Sequence, residues 1–343
     1  MELFQHLDKP RIGLPSSAGC NPDVHPAVKA VGLQMAAFTI SGSNARCIAM
    51  LNAFSRVIAD YVTPKDVALN RHLNTHLSAQ ITYLRQMRPM SMTMANSIRW
   101  LKGTISNLDI DRPDDELKAT LLSKISDYIR DHIVLADEVI CEFALRKIQK
   151  DDVILVCNFS SIVLKILLEA HEQGIPFRVI VVDVAPRFDG RTMLDRLVTA
   201  GIRAAYTTLH GAGYVVRAAT KVLLGAHSML SNGAMMARAG TASVAMLARE
   251  LHIPVLVACE TYKFSDSVQL DAFVKNEIAN PDELLLGAPA SAPVVLPGAA
   301  TPNLQLLNLR YDITPPEFLS AVVTEVGILP VTSIPVVVRE YKI

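Results

Sequence analysis

The run VILVC, Val153 to Cys157, ends in a thiol, and Asn158-Phe159-Ser160-Ser161 after it opens a helix pattern. A cysteine at the mouth of a strand becomes a nucleophile when a cation or a helix N-terminus lowers its pKa. The helix starting near Ser160 offers the second, and His210, His227 and His252 lie in the same half of the chain. The alternative is a buried free cysteine, since Cys is among the most commonly buried residue types. His227, on an apolar flank, also reads as a core or interface histidine. A second constellation, Ser160 and Ser161 with Arg187, Arg191 and Lys263, joins backbone amides to cations and suits a phosphate; its alternative is an ordinary solvated rim. A third is the loosely basic region Arg71, Arg85, Arg88, Arg99 and Lys102 around Trp100. It lacks the interleaved aromatics of a nucleic-acid surface and suits an acidic or phosphorylated protein surface.

A parallel α/β pattern first suggests dinucleotide binding, and Asp183, at the end of FRVIVVDV, resembles the ribose-binding acid of such sites. The first β-α turn, however, contains no glycine. Without GxGxxG the backbone does not approach a pyrophosphate closely. NAD is set aside, no cofactor is expected, and Asp183 reads as a strand-end residue bonding to backbone. The cysteines, Cys20, Cys47, Cys141, Cys157 and Cys259, form no CxxC pair and no finger spacing, so no metal site is expected and the thiols read as free. Free thiols point to a reducing compartment. MELFQHLDKP lacks a signal-peptide pattern, and no apolar run reaches the roughly 18 residues of a membrane span. The cytosol is the expected location.

The elements that must position these groups centre on Lys221 to Phe264. This stretch opens with Val222 to Leu224, breaks at Ser231-Asn232-Gly233, carries a long small-residue and Met-rich helix pattern closed by His252 and Pro254, and ends in a buried strand, Val255 to Cys259. Together these make one β-α-β unit. The ligand crevice of an open parallel sheet lies beyond the carboxyl ends of its strands, here His227 to Gly233 and Glu260 to Lys263. Upstream, strands Val153 to Cys157, Phe177 to Val184 and Ala204 to Leu209 alternate with helices Ser161 to His171, Met193 to Thr199 and Tyr214 to Thr220. Near-continuous Val/Ile runs of this kind mean a parallel sheet covered on both faces. Downstream, Leu304 to Leu309 and Ile334 to Arg339 read as strands. Between them Thr314-Pro315-Pro316-Glu317 starts a helix, Phe318 to Val326. Ahead of Asp152 the period is helical throughout, with a helix opened by Arg88-Pro89 and a long pattern, Asp114 to Ile148, expected to break near His132. The expected domains are an extended arm at 1–26, a helical domain at 27–150 and an α/β domain at 151–343, with a flexible loop at 286–303.

Of the 343 residues half are hydrophobic and 19% charged, below the typical charged share of about 25%. Lys plus Arg and Asp plus Glu are equal at 33 each, so no global field favours nucleic acid or an acidic membrane. Low charge with abundant Ile, Val, Leu and Met suggests surface buried against other chains; the ample core of a large enzyme is equally compatible.

The segments HPAVKAVGLQ, SGSNARCIAML, RPMSMTMANSIRWL, VILVCNFSS, KVLLGAHSMLSNG, PVLVACETYKF and LRYDITPPE, taken in order, look like the regulatory subunits of eukaryotic translation initiation factor 2B, in the delta branch of that alpha/beta/delta family. The resemblance runs from about Leu3 to Arg339. It implies an α/β fold: an N-terminal all-helical domain followed by a Rossmann-like parallel-sheet domain. It also implies a non-catalytic regulatory subunit of the guanine-nucleotide exchange factor for initiation factor 2, a part of the integrated stress response. Such a subunit scaffolds a core with alpha and beta subunits, joins gamma and epsilon, leaves exchange to epsilon, and helps to bind initiation factor 2 through its phosphorylated alpha subunit. Neither a membrane nor direct nucleic-acid contact is implied. For the partner surface the helices around Arg88 to Lys102 and Lys118 to Ile129 are the candidates, with Arg88, Arg99, Lys102 and Lys118. Delta-type subunits usually carry a low-complexity N-terminal extension, and a sequence beginning at MELFQHLDKP reads as a truncated or short form.

These subunits are similar to methylthioribose-1-phosphate and ribose-1,5-bisphosphate isomerases. Cys157-Asn158 matches the CNAG-like motif of the isomerase cysteine, while Phe159-Ser160 departs from it. The GAD…NG motif of the catalytic aspartate reads Gly225-Ala226-His227…Asn232-Gly233. The arginine before a proline in the phosphate segment is Ala185, ahead of Pro186, and that of the RGAPA-like loop is Ser41; Arg88-Pro89 and Asn232-Gly233 remain. With the acid/base and two anion ligands gone, proton shuttling and positioning both fail. The resemblance therefore implies a pseudoenzyme in which Cys157 and His227 are degenerate isomerase positions. Asn158, Ser160, Arg187, Asn232, Gly233 and Lys263 would form a ligand-like pocket. The alternatives are a surviving phosphosugar isomerase and a phosphosugar-sensing module.

Overall fold

The computed structural model describes residues 6–7, 23–65, 67–109, 112–285 and 306–340. The expected arm falls mostly outside these residues, as do Cys20 and the whole of the expected loop at 286–303. The described chain divides into two units, 23–136 and 137–340, the second joined by His6 and Leu7.

The first unit is helical: α1 (Pro26–Ala36), α2 (Ser43–Asp60), α3 (Leu69–Met87), α4 (Met92–Ser106) and α5 (Asp114–Ile129). His25 caps α1, its Nδ1 accepting from the Ala27 amide at 3.1 Å, with Pro26 at the first helical position, where a missing N–H is no loss. α4 begins at the Ser91 hydroxyl, which accepts from the Met94 amide at 3.4 Å, and not at Pro89 as the sequence suggests. Met50, Phe54, Leu73, Leu77, Leu84, Met94, Leu101 and Leu121 are buried, each stabilising by about 1.5–3 kcal/mol relative to exposure. The long pattern after Asp114 does break at His132, within a π-helical turn, Arg130–Leu135.

The second unit opens with α6 (Ala136–Leu145). Its Ile140, Cys141, Ala144 and Leu145 are buried with Ile154, Val156, Ile166 and Leu167, so this helix goes with the α/β unit, ahead of the expected boundary at residue 150. There follow β1 (Val153–Cys157), α7 (Ser161–Glu172), β2 (Arg178–Asp183), α8 (Gly190–Thr199), β3 (Arg203–Thr208), α9 (Ala212–Val215), β4 (Lys221–Gly225), β5 (Ser228–Leu230), β6 (Met235–Arg238), α10 (Thr241–Glu250), β7 (Val255–Ala258), β8 (Phe264–Ser265), β9 (Tyr311–Thr314), β10 (Ala321–Thr324), β11 (Gly327–Leu329) and α11 (Ile334–Glu340). The main sheet has the order β11-β10-β7-β4-β1-β2-β3, parallel except for β10–β11. This is a Rossmann-like order whose direction reverses between β1 and β4. Every residue of β1 is buried, as a strand covered on both faces requires. The second sheet has the order β8-β5-β6-β9.

Three expectations fail here. The long helix after Gly233 is a strand, β6, and then the shorter α10, because Met235 to Arg238 pair antiparallel with Tyr311 to Thr314. The helix expected at Phe318 to Val326 is a short 3₁₀ turn, Pro316–Phe318, followed by β10; Val322 and Val323 are fully buried and pair with Val257 and Ala258. The strand expected at Ile334 to Arg339 is α11, which buries Ile334, Val337 and Val338 on one face. Of the strand expected at Leu304 to Leu309, the described part contributes one bridge, Leu309 to Ile278.

Candidate functional site

β1 delivers Cys157 to the carboxyl edge of the sheet, and Asn158 follows in a left-handed conformation, φ 57°, that asparagine tolerates better than most residues. Asn158 Nδ2 reaches Cys157 Sγ at 3.5 Å and the Ala239 carbonyl at 3.4 Å. The thiol is buried, and burial, with the Asp312 charge adding to it, pushes its pKa up to about 12. At neutral pH roughly one such group in 10⁵ is a thiolate. Asp312 itself is pushed up to about 7 by burial, against the pull of amides at the start of α10; the Ala242 amide donates to its Oδ2 at 2.9 Å.

The histidines take separate places. His227 is half-buried and lies against the Tyr311 ring, 4.3 Å between centroids. His210 is exposed, its Nδ1 3.3 Å from the Thr208 hydroxyl. His252 lies before the start of β7, away from the strand exits. Asp183 is fully buried; its Oδ1 accepts from the amides of Val184 and Gly190, each at 2.9 Å, and its Oδ2 from the Tyr206 hydroxyl at 2.8 Å. It is thus committed mainly to backbone.

The phosphate cradle read from the sequence does not converge. Asn158 and Arg187 line one cleft with Ala185, Arg238, Asn308 and Arg310; Ser160, Asn232, Gly233 and Lys263 lie elsewhere. Ser160 sits against Gly225, where a Cβ would come 2.0 Å from its Oγ, so residue 225 must be glycine for the two turns to meet. Asn232 and Gly233 shape the β5–β6 turn: Asn232 donates to the Gln269 carbonyl at 2.9 Å and accepts from the Ala234 amide, while Gly233 has φ 80°. Lys263 is buried 2.6 Å from Glu260 Oε2. Arg191 stacks over the Phe188 ring. The cleft's cations are largely matched: Arg187 lies 3.6 Å from Asp189 and 3.8 Å from Glu283, Arg238 pairs with Asp189, and Arg310 lies 3.1 Å from Glu277. Its volume of about 40 Å³ compares with about 300 Å³ or more for ordinary ligand pockets.

Sequence reasoning missed Arg238, Arg310 and Asp312, which reach this region from β6, the segment leading into β9 and β9 itself. It also missed Asp137, whose carboxyl lies by Glu260 and Lys263 and is pushed up to about 8 by burial and by the Glu260 charge. No local pattern flags any of them. Among the described residues no group of three or more His, Cys, Asp or Glu could hold a metal ion.

In the helical unit Arg88 is buried with its guanidinium 4.3 Å from the Phe38 ring centre. Lys102 donates to the Ser78 hydroxyl at 2.9 Å, Lys118 donates to the Tyr61 carbonyl, and Arg99 is exposed beside Trp100, which stacks on Tyr128 at 4.2 Å.

A model of the initiation factor 2 subunit family matches residues 39–331. The chain belongs to this family. It is 45% identical to translation initiation factor eIF2B subunit delta of Schizosaccharomyces pombe, over all of this chain and 74% of that protein. It superposes on a chain of the tetrameric eIF2B-beta2-delta2 complex from C. thermophilum with a TM-score of 0.84 and 36% identity, covering 95% of this chain and 97% of that one. It is also 30% identical to ribose 1,5-bisphosphate isomerase of Pyrococcus furiosus, over 72% of this chain and 74% of the isomerase. The chain is thus related in sequence both to an eIF2B delta subunit and to an isomerase, and its Cys157 is buried. Among the described residues no helix is long and apolar enough to cross a membrane, and Cys47, Cys141, Cys157 and Cys259 are buried free thiols.

Proposed function

We propose that this chain is a delta-type regulatory subunit of initiation factor 2B. It scaffolds an alpha/beta/delta core in the cytosol, joins gamma and epsilon, the second of which carries the exchange activity, and helps to bind initiation factor 2 through its phosphorylated alpha subunit. The observation that carries this reading is the 45% identity to an eIF2B delta subunit along the whole chain. The reading includes loss of isomerase chemistry. In support, Cys157 is a thiol with a pKa of about 12, the catalytic-aspartate position of the separate GAD…NG motif is His227, and the adjoining cleft has its arginines paired with acids.

Native mass spectrometry of the chain, alone and mixed with beta, gamma and epsilon subunits, tests the proposal. A defined tetramer that takes up an alpha dimer is expected. A homo-oligomer indifferent to those subunits, together with turnover of ribose 1,5-bisphosphate that Cys157→Ser abolishes, would establish the isomerase instead. Of the proposed partner-facing residues, Arg88 after α3, Arg99 and Lys102 on α4 and Lys118 on α5, the exposed Arg99 is the first to vary. Arg99→Glu is expected to weaken capture of phosphorylated initiation factor 2 alpha subunit in a pull-down, and unchanged capture removes this residue from the surface.

A further inference from the structure

The amino-terminal ends of the strands carry a second concavity that the reading above does not use. A cleft of about 450 Å³ opens at the starts of β2 and β3, with Pro176, Phe177 and Ile202 among its apolar lining, Arg178 and Arg203 as its cations and His171 beside them. Arg178 and Arg203 are register partners on adjacent parallel strands, so their side chains leave the sheet on the same face, with backbones about 4.8 Å apart. Both are exposed, and among the described residues neither guanidinium has a hydrogen-bond or ion-pair partner. Like charges placed side by side disfavour a sheet, and among the described residues no carboxylate comes within ion-pair distance of either guanidinium. Asp151 is the single acid lining the cleft, its neighbour Lys150 is exposed, and Asp152 is committed to Lys221 at 2.5 Å. The carboxyl ends of α7 and α8 close on the same place, and their dipoles offset part of the repulsion between the two arginines.

We propose that this cleft docks an acidic peptide segment of a partner protein, with an apolar side chain on the floor and flanking carboxylates on the Arg178–Arg203 pair. Two guanidinium forks side by side suit carboxylates in a bidentate arrangement, and the apolar lining calls for an apolar anchor. Nucleic acid fits less well, because the cleft's aromatic, Phe177, is buried and presents no stacking face. β3 is also the last strand of the main sheet, so an extended segment leaving the cleft runs along an edge whose main-chain groups are open to pairing.

The test is fluorescence anisotropy of the full chain with a short fluorescein-labelled peptide carrying leucine between glutamates. Comparison probes replace glutamate by lysine, replace leucine by serine, or use a single-stranded oligonucleotide. The acidic leucine peptide is expected to bind and to weaken with salt. Arg178→Glu with Arg203→Glu should raise its Kd by about tenfold or more, and Arg56→Glu in the helical unit should leave it unchanged. If circular dichroism shows that the charge-reversed chain does not fold, Arg178→Gln with Arg203→Gln takes its place, with a smaller loss expected. Absence of peptide binding, or binding indifferent to either arginine pair, overturns the proposal. An oligonucleotide that binds tighter than the peptide and depends on the same arginines replaces it with a nucleic-acid surface.

Discussion

At the strand-entry end of the sheet, Lys221 Nζ lies 2.5 Å from Asp152 and 2.6 Å from the Lys147 carbonyl. Asp152 also accepts from the Gln149 amide at 2.6 Å and the Thr220 hydroxyl at 2.7 Å. At the exit end, Lys263 lies 2.6 Å from Glu260, and both side chains are almost wholly buried. There a second carboxyl, Asp137, shares the same cation and has one buried oxygen without a hydrogen-bond partner among the described residues. One acid per base with every oxygen bonded is an arrangement that stabilises. Two acids per base, out of water, is one the fold tolerates at a cost. In parallel sheets the exit end is where ligand and catalytic sites lie. The exit end thus keeps a charge cluster that costs stability, next to the buried thiol of Cys259.

The largest test of this contrast removes each lysine in turn. Lys263→Met removes the ammonium that Glu260 and Asp137 share, leaving only the Lys165 charge acting on Asp137, and is expected to cost about 3–5 kcal/mol, read from the urea midpoint. Adding Glu260→Gln should restore much of that loss. Lys221→Met leaves Asp152 with the Gln149 amide and the Thr220 hydroxyl, and should cost only about 1 kcal/mol. Equal losses would erase the distinction between the two ends.

The two acids also call for opposite pH responses. Burial pushes Asp152 up, but the hydrogen bonds from Lys221, the Gln149 amide and Thr220 outweigh it and hold the carboxyl below its ordinary 3.8. Its folded form therefore binds fewer protons than the unfolded chain, so its contribution is present above pH 3.8 and lost as pH falls through the folded pKa. Asp137 runs the other way. Its folded pKa of about 8 lies above 3.8, so stability falls as pH rises across that window and levels off above it. Asp137→Asn is expected to remove that downward slope and to stabilise the protein by about 1–3 kcal/mol at the alkaline end of the window. Asp152→Asn should cost a similar or smaller amount, about 1–2 kcal/mol, and flatten the acid limb. Thermal melts across pH check both, and parallel curves for the two variants would contradict the assignment.

The strands were legible in the sequence and the groups gathered at their ends only in part, for a physical reason. Strands β1 and β2 announce themselves as Val/Ile runs because burial on both faces imposes that composition locally. The break at His132 showed as a helical period too long to stay unbroken. By contrast, Met235 to Arg238 is made of residues that serve helix or strand equally, and the strand Tyr311 to Thr314, far off in the chain, decides the matter. Ile334 to Arg339 shows the reverse: a β-branched run becomes a helix because it has one core-facing side, carrying Ile334, Val337 and Val338. The site fared likewise. Cys157, Asn158 and Arg187 follow strands that could be read, whereas Arg238, Arg310, Asp312 and Asp137 arrive through pairings and helix docking that no local motif records. The cradle proposed from Ser160 and Lys263 failed because residue type was taken for direction. Ser160 turns toward Gly225, and Lys263 is held by Glu260.

The smallest expected effect is at Cys157 itself. Asn158, Thr241 and Asp312 surround the thiol with hydrogen-bonding groups, so a serine hydroxyl finds partners there. Cys157→Ser should then change stability by less than about 1 kcal/mol and leave assembly with partner subunits intact. In the unmodified protein, iodoacetamide at neutral pH should leave Cys157 unalkylated by peptide mass spectrometry until denaturant is added, because the thiolate is scarce and the sulfur is buried. Rapid native alkylation would mean that the exit end opens to solvent, and its charge cluster would then belong to a working site. A slow reaction that accelerates only on unfolding would leave Cys157 as a packed residue of β1, as inert as the valines beside it.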